Sequence, residues 1–208
     1  MGLMSGALSV RRYRVEGQVP DDFRLSYMEA LNTHAFREPG SRFSTEESAG
    51  WCRLQNLLET NFDDINHWLM NYYLVAALRV DKKVLPAKLF RARLELRLNE
   101  WCEEHGRQKA PSQVRSDLKD VLEQEMLGQT LPRVQVTEWC WNITDGYVIF
   151  HNTSDAANDR FRKLFRTTFG LVLHPFTPLD FLGNDPDVGV ALESKSMSDL
   201  RPAMGGEE

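Results

Sequence analysis

Cysteine is scarce in this sequence: Cys52, Cys102 and Cys140 are widely spaced, odd in number and never in a C-x-x-C pair. Such a set does not make a disulfide framework and reads as reduced, mostly buried thiols. No apolar run approaches the roughly 18 residues of a membrane span. Met1 to Leu8 also lacks the basic start and long apolar stretch of a signal peptide, so a cytoplasmic protein is expected. In that setting the glycosylation-like triplets at Asn142 and Asn152 carry no meaning. There is no G-x-S-x-G elbow and no glycine-rich phosphate loop, and His34, His67, His105, His151 and His174 are scattered. Nucleophilic catalysis and nucleotide hydrolysis therefore find no support. Internal repeats and low-complexity tracts are absent too.

What is present is an ordinary globular composition, 42% hydrophobic and 26% charged over 208 residues, long enough to bury a sizeable core. The net charge of −5 is misleading as a summary. From Leu179 onward there are seven acidic residues against two basic ones, so this segment accounts for the whole imbalance and residues 1–178 are neutral overall. The segment is also rich in Gly and Pro and has little periodicity, which predicts disorder after about Gly183. The expected organisation is a flexible start (1–8), a body (9–178) open to division into two lobes, and an acidic tail (179–208), which admits the alternative of a protein-interaction module whose tail contacts a basic partner or mimics DNA towards the body's own basic face.

Within the body, Arg79 to Lys119 holds eleven basic residues against six acidic ones. A second basic group, Arg160, Arg162, Lys163 and Arg166, follows on a later helix. Concentrated positive charge in a neutral body can attract a polyanion, and a solvated helix face with intrahelical ion pairs accounts for the same residues.

Residues 9–16 alternate as a strand, and Asp21 or Asp22 can cap a helix to about His34 with Phe23, Tyr27, Ala30 and Leu31 at helical spacing. A Pro-, Gly- and Ser-rich loop (37–45) precedes a short strand near 48–54, and a short helix from Asp63 fits within 57–71. Residues 72–80 are nearly all apolar, a strand covered on both faces. Pro86 opens a helix reaching Glu104, whose apolar positions Leu89, Leu94, Leu98 and Trp101 leave a basic face holding the pairs Lys88/Arg91 and Arg93/Arg97. A linker (105–111) leads to a helix over 112–127 capped by Ser112. Strands at 135–141 and 147–151 then flank the turn signal Asp145-Gly146. Ser154 caps a last helix, 155–169, ended by Gly170, and 171–173 can add one more strand. The fold class is α+β, with mixed helices and antiparallel strands or hairpins in an elongated body.

Three constellations could carry chemistry. Asp63 and His67, four apart, could share a metal if helical, although capping by Asp63 explains them equally. Asp64, Asp81 and Lys83 fit a loose Mg²⁺-nuclease pattern of two metal-holding carboxylates and a lysine. Trp139 and Trp141 share one strand face, where they could stack on bases or pack in a core or subunit contact.

The order of features resembles the RdgC-type recombination-associated proteins of bacteria. The resemblance rests on His34-Ala35-Phe36, then Gly40-Ser41 and Gly50-Trp51, then Arg79-Val80-Asp81-Lys82-Lys83-Val84-Leu85-Pro86 leading into a charged helix. It continues through a second charged helix at Ser116 to Leu127, Leu131-Pro132-Arg133, a hairpin, and a helix before Leu171 to Pro178, covering about 9–178 with an insertion-like stretch at 57–71. The resemblance implies a non-catalytic protein without cofactor or metal, associated with the nucleoid, that binds double-stranded DNA largely independently of sequence. It implies ring-shaped homodimers around the duplex that restrain RecA-promoted recombination. Local charge and spacing nominate Lys82, Lys83, Lys88, Arg91, Arg93 and Arg97 as DNA contacts, with Arg115, Lys119, Arg162, Lys163 and Arg166 as a second group.

Overall fold

The computed structural model describes residues 8–39, 41, 43 and 47–176; the expected flexible start and acidic tail fall almost wholly outside them. The chain runs β1 (Arg11–Glu16), α1 (Phe23–Thr33), β2 (Ser48–Cys52), a 3₁₀ turn (Ile65–His67), β3 (Leu69–Met70), β4 (Tyr73–Lys82), α2 (Ala87–Glu104), α3 (Ser112–Gln129), β5 (Arg133–Asn142), β6 (Tyr147–Phe150), α4 (Asp155–Phe169) and β7 (Val172–Pro175). Seven strands form one antiparallel sheet in the order β2-β4-β5-β6-β1-β7, with β3 paired to β4. The fold is α+β, as expected.

The core lies between one sheet face and the helices α1 and α4. Strand alternation sends Leu74, Ala76, Leu78 and Val80 of β4 and Trp139 and Trp141 of β5 into it, all buried. In α4, Phe161, Phe165 and Phe169 recur every four residues and so stack along one helix face. Phe161 lies against Phe150 with ring centroids 4.2 Å apart, and Phe165 meets Trp139 and Trp141 edge-on. Burying each such ring contributes about 1.5–3 kcal/mol. The Trp139–Trp141 pair is therefore core, and stacking on bases is ruled out by its complete burial. Two hydrogen bonds fix α4 on the sheet: Tyr13 Oη donates to Asn158 Oδ1 at 2.5 Å, and Trp51 Nε1 to Thr168 Oγ1 at 2.8 Å.

Strand β4 is buried on both faces, as its apolar run predicts, but its second face carries a charge pair. Arg79 donates from Nε and Nη2 to the two carboxylate oxygens of Asp81 at 2.9 and 2.6 Å, and from Nη1 to the Leu57 carbonyl. Its guanidinium also lies 4.0 Å from the Phe36 ring centre. Fork-shaped pairing of this kind satisfies both buried ions.

The helix ends differ from the sequence reading. Pro111, not Ser112, is the N-cap of α3, and Asp64, not Asp63, caps the 3₁₀ turn by accepting from Asn66 N. Asp22 and Ser154 occupy N-cap positions without a side-chain capping bond. Gly170 ends α4 in the left-handed conformation at φ 70°, the role expected of a glycine there.

Candidate nucleic-acid interface

The amphipathic pattern of α4 places its cations. With the phenylalanines turned to the sheet, Arg162, Lys163 and Arg166 are exposed at i, i+1 and i+4, neighbours on one helix surface. None of the three makes an ion pair or side-chain hydrogen bond among the described residues. Arg160 is different: it is held by Glu47, with Nε 2.5 Å from Oε1. Beside the stripe runs a groove of about 230 Å³, lined by Asp159, Arg162, Lys163, Arg166 and, from β7, Val172 and Leu173. A second groove of about 460 Å³ shares Asp159 and Arg162 and extends past Arg11, Arg12 and Phe176. Its rim is braced by Arg11, whose guanidinium bonds Asp155 at 2.5 Å, and by Arg12, placed 4.5 and 4.4 Å from the rings of Tyr147 and Phe176. The bond to Asp155 holds the Arg11 pKa above its ordinary value.

The first-nominated cations lie elsewhere. Lys82 is exposed at the end of β4, and Lys88, Arg91 and Arg93 are exposed on α2, a helix with no buried residue. Arg97 is taken up by a two-pronged bond to Glu125 of α3, which joins the two helices and raises its pKa. Lys83 donates to the Leu127 carbonyl at 2.8 Å, tying the end of α3 to β4. Arg115 and Lys119 are exposed four residues apart on α3. The single basic face expected of α2 is not formed. At about 100° per residue, Arg93 lies roughly 200° around the helix from Arg91, so Lys88/Arg91 and Arg93/Arg97 occupy opposite sides. Helix α2 packs on α3, whereas α4 packs on α1 and β7, so the two basic groups belong to separate packing units.

The nuclease and metal constellations are not assembled. Asp81 is 2% exposed with both oxygens engaged by Arg79, Lys83 serves the end of α3, and Asp64 accepts from Asn66. That backbone bond from Asn66 lowers the Asp64 pKa. Asp63 accepts from Asn32 and Asn61, and His67 faces Asp64 at 3.4 Å, so Asp63 and His67 do not pair. No three metal-capable side chains come together among the described residues. Cys52 is buried, which pushes its pKa up to about 11 and leaves it a poor nucleophile. The contribution of Arg11 and Arg12 to the groove was not foreseen. Their alternation with Val10, Tyr13 and Val15 marks a strand, and the pairing of β1 with β6 and β7 brings them beside α4.

No helix among the described residues is long and apolar enough to cross a membrane. No curated protein matches the chain. A family model described as "Putative exonuclease, RdgC" matches residues 9–183, from the first strand past the last. The match spans β1, the β4 segment carrying the Arg79–Asp81 pair, the α2–α3 hairpin and the α4 groove alike, and the chain belongs to the RdgC family.

Proposed function

We propose that this protein is a non-catalytic, sequence-independent binder of double-stranded DNA that modulates recombination. Family membership points to a recombination-associated DNA-binding role. The observation that carries the finer reading is the stripe Arg162, Lys163 and Arg166, three exposed cations without anionic partners among the described residues, beside a groove. Flexible cations on a helix surface suit phosphate contacts, which fix position without reading sequence. Lys82, Lys88, Arg91, Arg93, Arg115 and Lys119 supply further positive field, while Lys83 and Arg97 serve chiefly to hold α3 and α2 in place.

The test is fluorescence anisotropy of a labelled duplex across a salt series. Each phosphate neutralised adds about 0.9 to the slope of log K against log salt. The R162E/K163E/R166E variant should lower that slope by about 2–3 and leave no preference between duplexes of unrelated sequence. A well-folded wild-type protein without salt-sensitive affinity would sink the reading. The family description also names exonuclease activity, so linear duplex held with Mg²⁺ or Mn²⁺ provides the catalytic control; it should remain intact. The reading extends to a nucleoid-associated homodimer that restrains RecA-promoted strand exchange, checked by sedimentation and by strand-exchange assays with and without the protein.

A further inference from the structure

We infer that the acidic segment following β7 docks in the basic groove of its own chain and competes there with DNA. This regulatory step rests on the DNA-binding reading for its consequence, but not for the docking itself. The argument begins with where the chain leaves the sheet. Phe176 lines the groove that shares Arg162 with the α4 stripe, and it is anchored there, its N–H donating to the Arg12 carbonyl at 2.8 Å. The next sixteen residues, 177–192, contain Asp180, Asp185 and Asp187 and no basic residue. Asp180 lies four residues past Phe176, within a reach of about 14 Å at 3.3–3.6 Å per residue. Asp185 and Asp187 lie nine and eleven residues past it, with a reach of about 30–40 Å. The anchored end of an acidic segment therefore stands in the groove of Arg162, and Arg162 also lines the adjoining groove with Lys163 and Arg166.

Tethering decides the competition. A segment fixed a few residues from its site meets it at an effective concentration on the order of millimolar, so weak individual ion pairs suffice for substantial occupancy at low salt. Three aspartates facing Arg162, Lys163 and Arg166 match them in number and opposite in sign. Surface pairs of this kind are screened by salt, so docking and DNA binding weaken together as ionic strength rises. The half-buried Val172 adds an apolar element to the groove that a phosphate backbone cannot use.

Lys163 gives a direct readout, being the one lysine among the described residues that lines the groove. Zero-length carbodiimide coupling of the full chain, mapped by mass spectrometry, should join Lys163 to Asp180, Asp185 or Asp187 at low salt and lose the link at high salt. Lys163→Arg, which keeps the charge, should abolish it. A mixture of ¹⁴N- and ¹⁵N-labelled protein distinguishes links within one chain from links between chains. Absence of the link, or a link only between chains, overturns the inference. In a separate arm, the D180N/D185N/D187N variant should bind duplex DNA about 3–10-fold more tightly than wild type at low salt. Unchanged affinity in a protein that does bind DNA overturns the competition. A link within one chain in a protein that binds no DNA leaves docking standing and removes the DNA reading instead, so the two failures are distinguishable.

Discussion

Tyr27 is a buried residue whose hydroxyl has no hydrogen-bond partner among the described residues, and burial pushes its pKa up to about 12. An unsatisfied buried hydroxyl costs about 1–3 kcal/mol. Tyr27→Phe keeps the ring against Trp141 and Phe169 and should raise stability by about 1 kcal/mol, measured by urea unfolding. The pH dependence has a definite sign. Because the folded pKa lies above the ordinary value near 10, this contribution is fully present below pH about 10 and is lost as the pH rises towards 12. Wild type should therefore lose stability over that window, and the Phe variant should lose less. Asp81 poses the opposite case. Replacing it with Asn leaves Arg79 buried without its counter-charge, at a cost of about 3–5 kcal/mol, whereas the paired R79M/D81L change should recover most of the loss. Equal destabilisation by both variants would mean that the pair does more than neutralise itself.

At the scale of elements, the short motifs on which the sequence resemblance rests build the fold. The backbone N–H of Trp51 donates to the His34 carbonyl at 3.0 Å, and Phe36 N–H donates to the Trp51 carbonyl at 2.8 Å, joining the end of α1 to β2. Gly50 permits this approach: a Cβ there would lie 2.4 Å from Phe36 Cα and 2.5 Å from its nitrogen. Since those atoms are backbone, they cannot swing aside. Gly50→Ala should cost about 1–3 kcal/mol or more, seen as a lowered unfolding midpoint, with the loss concentrated where β2 meets α1. This explains what the sequence made legible. The alternation of β1, the continuous apolar run of β4, and the Ser154 and Gly170 signals around α4 locate those elements, and each of them packs one face into the aromatic core. Helix α2 shows the limit. Leu89, Leu94, Leu98 and Trp101 have helical spacing, yet none becomes buried, because the helix packs on α3 rather than on the sheet. Periodicity correctly predicts the helix but not its depth, nor which arginine turns to Glu125. The groove was illegible for a related reason: it depends on β1–β7 pairing across about 160 residues, which local spacing cannot encode.

For the whole molecule, the question is whether one duplex touches both basic groups. The α2 cations belong to a helical hairpin and the α4 cations to the packed sheet, so their separation is set by the fold rather than by chain distance. Salt dependence resolves this because the slope counts phosphates, whereas affinity alone mixes contacts with folding defects. We expect K88E/R91E and R162E/K163E/R166E each to lower the slope, by about 2 and about 2–3, and the combined variant to lower it by nearly the sum, provided a single duplex spans both surfaces. If DNA uses the α4 groove alone, K88E/R91E will shift affinity only weakly through the general field and leave the slope unchanged. The reverse pattern would assign binding to the hairpin. Thermal unfolding of each variant accompanies the measurement, and all five positions are exposed, so a changed slope at unchanged stability locates the interface.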